Sequence, residues 1–95
     1  MILMIDDVKI VNAETFYPYV SRALGCGTDG INDENKLYDA LSATDEPVEI
    51  IIHDYDDVPE ESRKFAKNIV STLMDVRMVN KKVTVDFVND ETYRK

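Results

Sequence analysis

Apolar residues recur along this chain in two different patterns, and these patterns predict its secondary structure. Three short apolar runs lack a helical period and lie beside turn-forming residues, as is typical of β-strands. These runs cover residues 2–5, 48–53 and 83–87. The segment Ile50-Ile51-Ile52 shows no alternation, which predicts a strand covered on both faces of its sheet. Residues 8–10 are expected to continue extended after a turn at residues 6–7.

Longer segments place apolar residues three or four positions apart, which predicts three amphipathic helices. The first helix is expected to begin near Thr15, because Pro18 is tolerated only in a first turn. Asn12 or Thr15 can cap this helix. Gly25 is expected to end it, since glycine adopts the left-handed backbone conformation that follows many helices.

The second helix is expected to follow a loop at residues 25–30, with Asn32 or Asp33 as its cap. Its inner, apolar stripe consists of Leu37, Ala40 and Leu41. Its opposite, solvent-facing stripe consists of Asn35, Tyr38, Asp39 and Ser42. The third helix is expected to open at Pro59 and to end near Asn80.

The predicted element order is β-α-α-β-α-β, which indicates an α/β fold. Helices that separate strands favour a three-stranded parallel sheet with right-handed crossovers. A chain of 95 residues fits one domain spanning residues 1–95, with residues 89–95 as a frayed tail. The apolar run at residues 2–5 is too short for a membrane span and lacks the basic leader of a signal peptide. One cysteine, Cys26, cannot form an internal disulfide, so we expect a reducing cytoplasm.

Acidic residues are concentrated in one third of the chain. Residues 29–61 hold twelve of the 19 carboxylates and only one of the 11 cationic side chains, Lys36, so this segment carries −11 and the remainder +3. Such an uneven charge creates a directed electrostatic field that suits a basic partner. A net charge of −8 argues against nucleic acid or an anionic membrane as the partner.

Three other motifs favour ordinary structural roles over chemistry. Residues 25–30 match G-x-G-x-x-G, but they follow a helix, whereas a dinucleotide site needs them after a strand. Cys26 and His53 could contribute to a nucleophilic triad, yet no signature surrounds the cysteine. The acidic turn at residues 54–57 lacks the glycine and the later glutamate of an EF-hand loop. We therefore expect no enzyme activity, no metal and no cofactor.

Tyr38 and Asp39 are the most informative pair of residues for function. An exposed tyrosine beside a carboxylate can simply be a solvated surface. Within the strongest acidic region, however, the pair is typical of a protein–protein hot spot, where a rigid aromatic ring packs and the charge pairs with Arg or Lys.

The chain resembles the barstar family of ribonuclease inhibitors in several segments. Tyr38-Asp39-Ala40-Leu41-Ser42, followed by an acidic link, Pro47 and the strand at residues 48–52, is similar to the family's second helix and the strand after it. Gly30-Ile31-Asn32 resembles the opening of that helix, with one residue inserted before Leu37. Residues 5–10 and 83–85 resemble the family's first and last strands.

This resemblance implies an inhibitor or immunity protein, a monomer when free, that blocks the basic active-site cleft of a ribonuclease or related nuclease toxin. Asp39 would occupy the place of a substrate phosphate, with Tyr38 beside it where the family has tryptophan. The remaining contacts implied by the resemblance are Asn35, Ser42, Asp29 in the loop before the helix and Asp75 late in the last helix.

The chain also departs from the family's pattern at aromatic positions. Thr28-Asp29 replaces an aromatic pair before the glycine, and Thr44 replaces the aromatic residue after the helix. These departures favour an alternative function: a small acidic protein-binding or regulatory module that keeps the fold but has a non-nuclease partner.

Overall fold

Three parallel strands form the sheet at the centre of the computed structural model, which describes residues 1–25 and 30–88. The strands are β1 (Ile2–Ile5), β2 (Val48–His53) and β3 (Val83–Val88), and β2 lies between the other two. Leu3 stands opposite Ile50, which in turn stands opposite Val85. The predicted α/β class and the parallel three-stranded sheet are confirmed.

Three α-helices pack on this sheet: α1 (Ala13–Ala23), α2 (Glu34–Ser42) and α3 (Arg63–Val79). Two short 3₁₀ turns, Tyr55–Asp57 and Glu60–Ser62, connect β2 to α3. The core between helices and sheet includes Leu3, Ile5, Phe16, Val20, Leu37, Leu41, Ile50, Ile52, Ile69 and Leu73, each at most 1% exposed. In the described part of the chain, every helix is too short or too polar to cross a membrane.

The helices cover only one face of the sheet, so the prediction that β2 is covered on both faces is wrong. Along β2, buried Val48, Ile50 and Ile52 alternate with Glu49, Ile51 and His53, which are exposed or half-buried. The second face also carries Ile2, Met4, Thr84 and Asp86, all exposed, and we call it the open sheet face. An unbroken run of isoleucines is compatible with burial on both faces of a strand, but it does not show which face the helices cover.

Residues 8–10 form a turn, which corrects the prediction that they continue extended. The Asp6 carboxylate accepts hydrogen bonds from the backbone N–H groups of Val8 (3.1 Å) and Lys9 (2.9 Å). An aspartate that binds the backbone after it competes with extended structure. Burial alone would raise the pKa of Asp6, but the hydrogen bonds and charge of Lys9 outweigh it and lower that pKa. The turn brings Ile10 into the core, where it is fully buried.

Helix α1 begins two residues earlier than the proline predicts. Asn12 is its cap, and its side-chain oxygen accepts a hydrogen bond from Thr15 N at 2.9 Å. Pro18 therefore lies inside the helix, beyond its first turn. The helix tolerates it because Phe16 and Val20 on either side are fully buried, so packing offsets the missing backbone hydrogen bond.

The other helix boundaries agree closely with prediction. Gly25 follows α1 with a positive φ of 76°, as expected for a residue that ends a helix. Helix α3 ends at its cap, Asn80. Pro59 opens a 3₁₀ turn, and the α-helix proper begins at Arg63. The loop residues 26–29 and the predicted tail at 89–95 lie outside the described residues.

Candidate protein-binding site

Helix α2 presents a polar face on a firmly anchored backbone. Leu37 and Leu41 are fully buried and hold the helix against the core. Asp33 caps it, since its Oδ1 accepts a hydrogen bond from Lys36 N at 2.8 Å. Asn35 and Asp39 are exposed on the opposite side. The Asp39 carboxylate forms no hydrogen bond or ion pair with residues 1–25 or 30–88, so it is free to meet a partner.

Tyr38 and Ser42 are less accessible to solvent than their place on the predicted solvent-facing stripe implies. Tyr38 is half-buried and packs against the core, so only part of its ring faces solvent. The Ser42 hydroxyl oxygen is buried and has no hydrogen-bond partner among the described residues. Of the four predicted positions, Asn35 and Asp39 are therefore the exposed ones, and the Ser42 hydroxyl group is not on the predicted binding surface.

Asn80 closes the C-terminal end of α2, although it belongs to the end of α3. Its side-chain Nδ2 lies 3.0 Å from the carbonyl oxygen of Leu41, 3.3 Å from that of Ser42 and 3.1 Å from that of Thr44. The last carbonyl groups of a helix lack partners within it, so a donor from elsewhere stabilises them. Lys82 N donates to Asn80 Oδ1 at 3.0 Å and so orients the amide.

Ser21 fixes the segment that leads into α2. Its hydroxyl group is fully buried, donates a hydrogen bond to the carbonyl oxygen of Ile31 and accepts one from Ile31 N, both at 2.9 Å. The pair holds Ile31 two residues before the cap of α2. Sequence reasoning missed this contact, but one signal was present: Ser21 lies four residues after Tyr17, on the apolar stripe of α1.

One predicted site residue lies on another helix, and another falls outside the described residues. Asp75 is exposed on α3, the helix that packs against α2. Asp29, in the loop before α2, falls outside the described residues. Of the predicted interface, the described part is therefore the α2 surface with Asn35, Tyr38 and Asp39, together with Asp75 on the neighbouring helix.

Of the residues considered for other chemistry, the described ones lie at and after the C-terminal end of β2. His53 Nδ1 lies 2.9 Å from Asp54 Oδ2, at the end of β2, while Cys26 lies outside the described residues. Asp54 has a left-handed backbone with φ of 56°, and Asp56 and Asp57 in the following 3₁₀ turn are exposed. Over residues 1–25 and 30–88, no group of three or more His, Cys, Asp or Glu side chains is arranged to hold a metal ion.

The comparison with known proteins adds no family assignment. The chain matches no protein-family model and no curated protein.

Proposed function

We propose that this protein is a barstar-like inhibitor or immunity protein that blocks the basic active-site cleft of a ribonuclease or related nuclease toxin. The observation that carries the proposal is Asp39, an exposed carboxylate without an ion-pair partner in the described part of the chain. A cleft that holds phosphate presents Arg, Lys or His side chains, and these form strong, charge-assisted hydrogen bonds to a carboxylate.

The rigidity of α2 supports this role. Leu37 and Leu41 are fully buried on its inner side, and Asn80 holds its C-terminal carbonyl groups. A carboxylate on a helix fixed in this way loses little conformational freedom when a partner binds, and preorganisation of this kind raises affinity. Tyr38, half-buried next to Asp39, offers a rigid aromatic contact beside the charge.

The charge distribution supports a basic partner. The acidic segment at residues 29–61 carries −11, and its field would attract a cationic cleft and speed the encounter. In this proposal the protein acts in the cytoplasm and is a monomer when free, and the single cysteine favours a reducing compartment.

A second candidate function is a small acidic module that binds a non-nuclease partner through the same surface. The observation that favours it is Thr44, which stands where the resembled family has an aromatic residue. Its hydroxyl group accepts a hydrogen bond from Glu46 N at 3.3 Å and donates one to Glu46 O at 3.4 Å. This side chain stabilises the turn after α2 and adds no aromatic contact surface.

An RNA-cleavage assay with a panel of basic ribonucleases and nuclease toxins tests the proposal. We expect the protein to inhibit at least one of them at near-stoichiometric concentration, and Asp39→Ala to weaken that inhibition. Asp86→Ala removes the same charge from an exposed position on the open sheet face and serves as the control. If no nuclease in a broad panel is inhibited, the nuclease proposal is wrong and the second candidate stands. If a nuclease is inhibited equally well by both variants, the role of Asp39 is wrong.

A further inference from the structure

A groove opens where the N-terminal parts of the three helices meet, at the end of α2 opposite the Asn80 contact. Its volume is about 400 Å³, and its walls include Tyr17 of α1, Asp33 and Glu34 at the start of α2, and Phe65 of α3. These four residues do not belong to the surface predicted from the sequence, but Asn35, which does, also lines the groove. We call this feature the acidic groove.

Two aromatic rings form one side of the acidic groove. The ring centroids of Tyr17 and Phe65 lie 6.1 Å apart, with their planes at 90°. Phe65 is half-buried, whereas Tyr17 is only 6% exposed. An aromatic ring attracts a cation that lies within about 6 Å of its centroid. The exposed part of the Phe65 ring can therefore contact a cationic group, whereas the Tyr17 ring is too buried for a cation to stack on it.

The Tyr17 side chain is buried, but its hydroxyl oxygen is accessible from solvent. It forms no hydrogen bond with the part of the chain that the structure describes, so it is available to a group bound in the groove. Burial, together with the nearby charges of Glu34 and Asp33, raises the pKa of Tyr17 to about 12. The phenol is therefore neutral at physiological pH, and its oxygen can accept a hydrogen bond from a bound donor.

The two carboxylates of the acidic groove also have capacity to bind. Asp33 uses one oxygen, Oδ1, to cap α2, and Glu34 is exposed. Neither forms an ion pair with a cation among residues 1–25 and 30–88. Each helix N-terminus at the groove contributes only about half a positive charge, so two full carboxylate charges leave the groove negative.

We propose that the acidic groove takes an arginine side chain of the protein's partner, with the guanidinium group between the carboxylates of Asp33 and Glu34, against the exposed part of the Phe65 ring and within reach of the Tyr17 hydroxyl oxygen. The identity of the occupant as part of a basic protein rests on the proposed function. Arginine fits better than lysine, because its planar group stacks on aromatic rings and presents donors to two acceptors at once. The groove extends the binding surface from Asp39 to the opposite end of α2.

Nuclear magnetic resonance titration with small probes tests this site without a toxin. The probes are N-acetyl-arginine amide, N-acetyl-lysine amide and the neutral analogue N-acetyl-citrulline amide, each added at constant ionic strength. We expect the arginine probe to cause saturable shifts of the Tyr17 ring signals and of the Glu34 amide. The lysine probe should bind more weakly, and the citrulline probe should cause no saturable shift.

A pair of double variants with equal charge separates the groove from general attraction. Asp33→Asn with Glu34→Gln keeps a good helix cap, because asparagine caps as well as aspartate. Since exposed ion pairs are individually weak, we expect about a five-fold loss of affinity for the arginine probe. Glu49→Gln with Asp86→Asn removes two charges from the open sheet face and should leave the affinity unchanged. The amide spectra of both double variants report whether they are folded. If the variant with Asp33→Asn and Glu34→Gln is not folded, the single variant Glu34→Gln replaces it.

Three results would overturn the groove proposal: no saturable shift of Tyr17, an equal response to citrulline, or equal losses in the two double variants. These outcomes are independent of the nuclease assay. A protein that inhibits a nuclease through Asp39 but shows no arginine binding keeps the proposed function and loses the groove. A protein that binds the arginine probe in the groove but inhibits no nuclease keeps the groove as a site for a basic partner and loses the proposed nuclease function.

Discussion

The side-chain nitrogen of Asn80 lies 3.0 Å from the carbonyl oxygen of Leu41, and this contact joins the ends of two helices across 39 positions of sequence. The same nitrogen also reaches Ser42 and Thr44, so one amide serves three carbonyl groups at the end of α2. The orientation of α2, and with it of the exposed Asp39 side chain, therefore depends on Asn80, the residue that caps α3.

Asn80→Ala should destabilise the protein, because it removes the donor at the end of α2. A lost hydrogen bond of this kind costs about 1–2 kcal/mol in the free energy of unfolding. Chemical denaturation measures this value. Asn68→Ala is the matched control, since Asn68 is exposed in the middle of α3 and alanine favours a helix there. Equal stability of Asn80→Ala and the wild type would show that water replaces the amide at no cost.

Ser21→Ala should destabilise the protein through the segment before α2. The change leaves the Ile31 N–H and carbonyl groups without their buried partner, and an unsatisfied buried group costs about 1–3 kcal/mol. Hydrogen exchange should also become faster at the Ile31 amide. Ser71→Ala on the exposed side of α3 controls for loss of a helical serine. If both variants unfold at the same denaturant concentration, the Ser21 contact contributes nothing.

Because one sheet face is open, replacing two adjacent isoleucines of β2 by alanine should lower the free energy of unfolding by different amounts. Ile50 is fully buried, so Ile50→Ala should lower the free energy of unfolding by about 3 kcal/mol or more. Ile51 is half-buried on the open face, and Ile51→Ala should cost about 1 kcal/mol because less apolar surface leaves contact. Urea denaturation of both variants provides the comparison. Similar large losses for the two changes would mean that both faces of the sheet are covered in solution.

Once a nuclease partner is found, Asp39→Ala should weaken its binding by roughly 2 kcal/mol or more in calorimetry, as for a central hot spot. Asp86→Ala removes an equal charge on the open sheet face, so it should change affinity little. Association of the wild type should slow as salt is added, since charges are screened over roughly 8 Å at physiological ionic strength. Equal and small effects of the two variants would contradict the role of Asp39.

Local signals in the sequence account for the elements that were predicted well. The Gly25 and Asn80 boundaries, the Asp33 cap and the strand at residues 48–53 each depend on residues within one or two turns of backbone. One of the errors also has a local origin. The Asp6 side chain accepts two hydrogen bonds from the backbone after it, so residues 8–10 turn where an extended segment was predicted.

The candidate site was predictable only as a surface pattern. Helical spacing placed Asn35 and Asp39 on an exposed face, because that spacing depends on the helix alone. It could not show that the Ser42 hydroxyl is buried, since this depends on what packs beside the end of α2. The acidic groove was invisible for the same reason, as Tyr17 and Phe65 are 48 positions apart and meet only in the folded chain.

By itself, the sequence determined the order of strands and helices, the strong charge of residues 29–61 and the exposure of Asp39, because these properties follow from composition and short-range backbone preferences. Only the tertiary structure decided that β2 lies at the centre of the sheet, that one sheet face stays open, and that Asn80 and Ser21 hold the two ends of the α2 region. Each of these features depends on which distant parts of the chain pack against each other. Those contacts stabilise the fold only when the distant parts meet, so short-range patterns in the sequence do not show them.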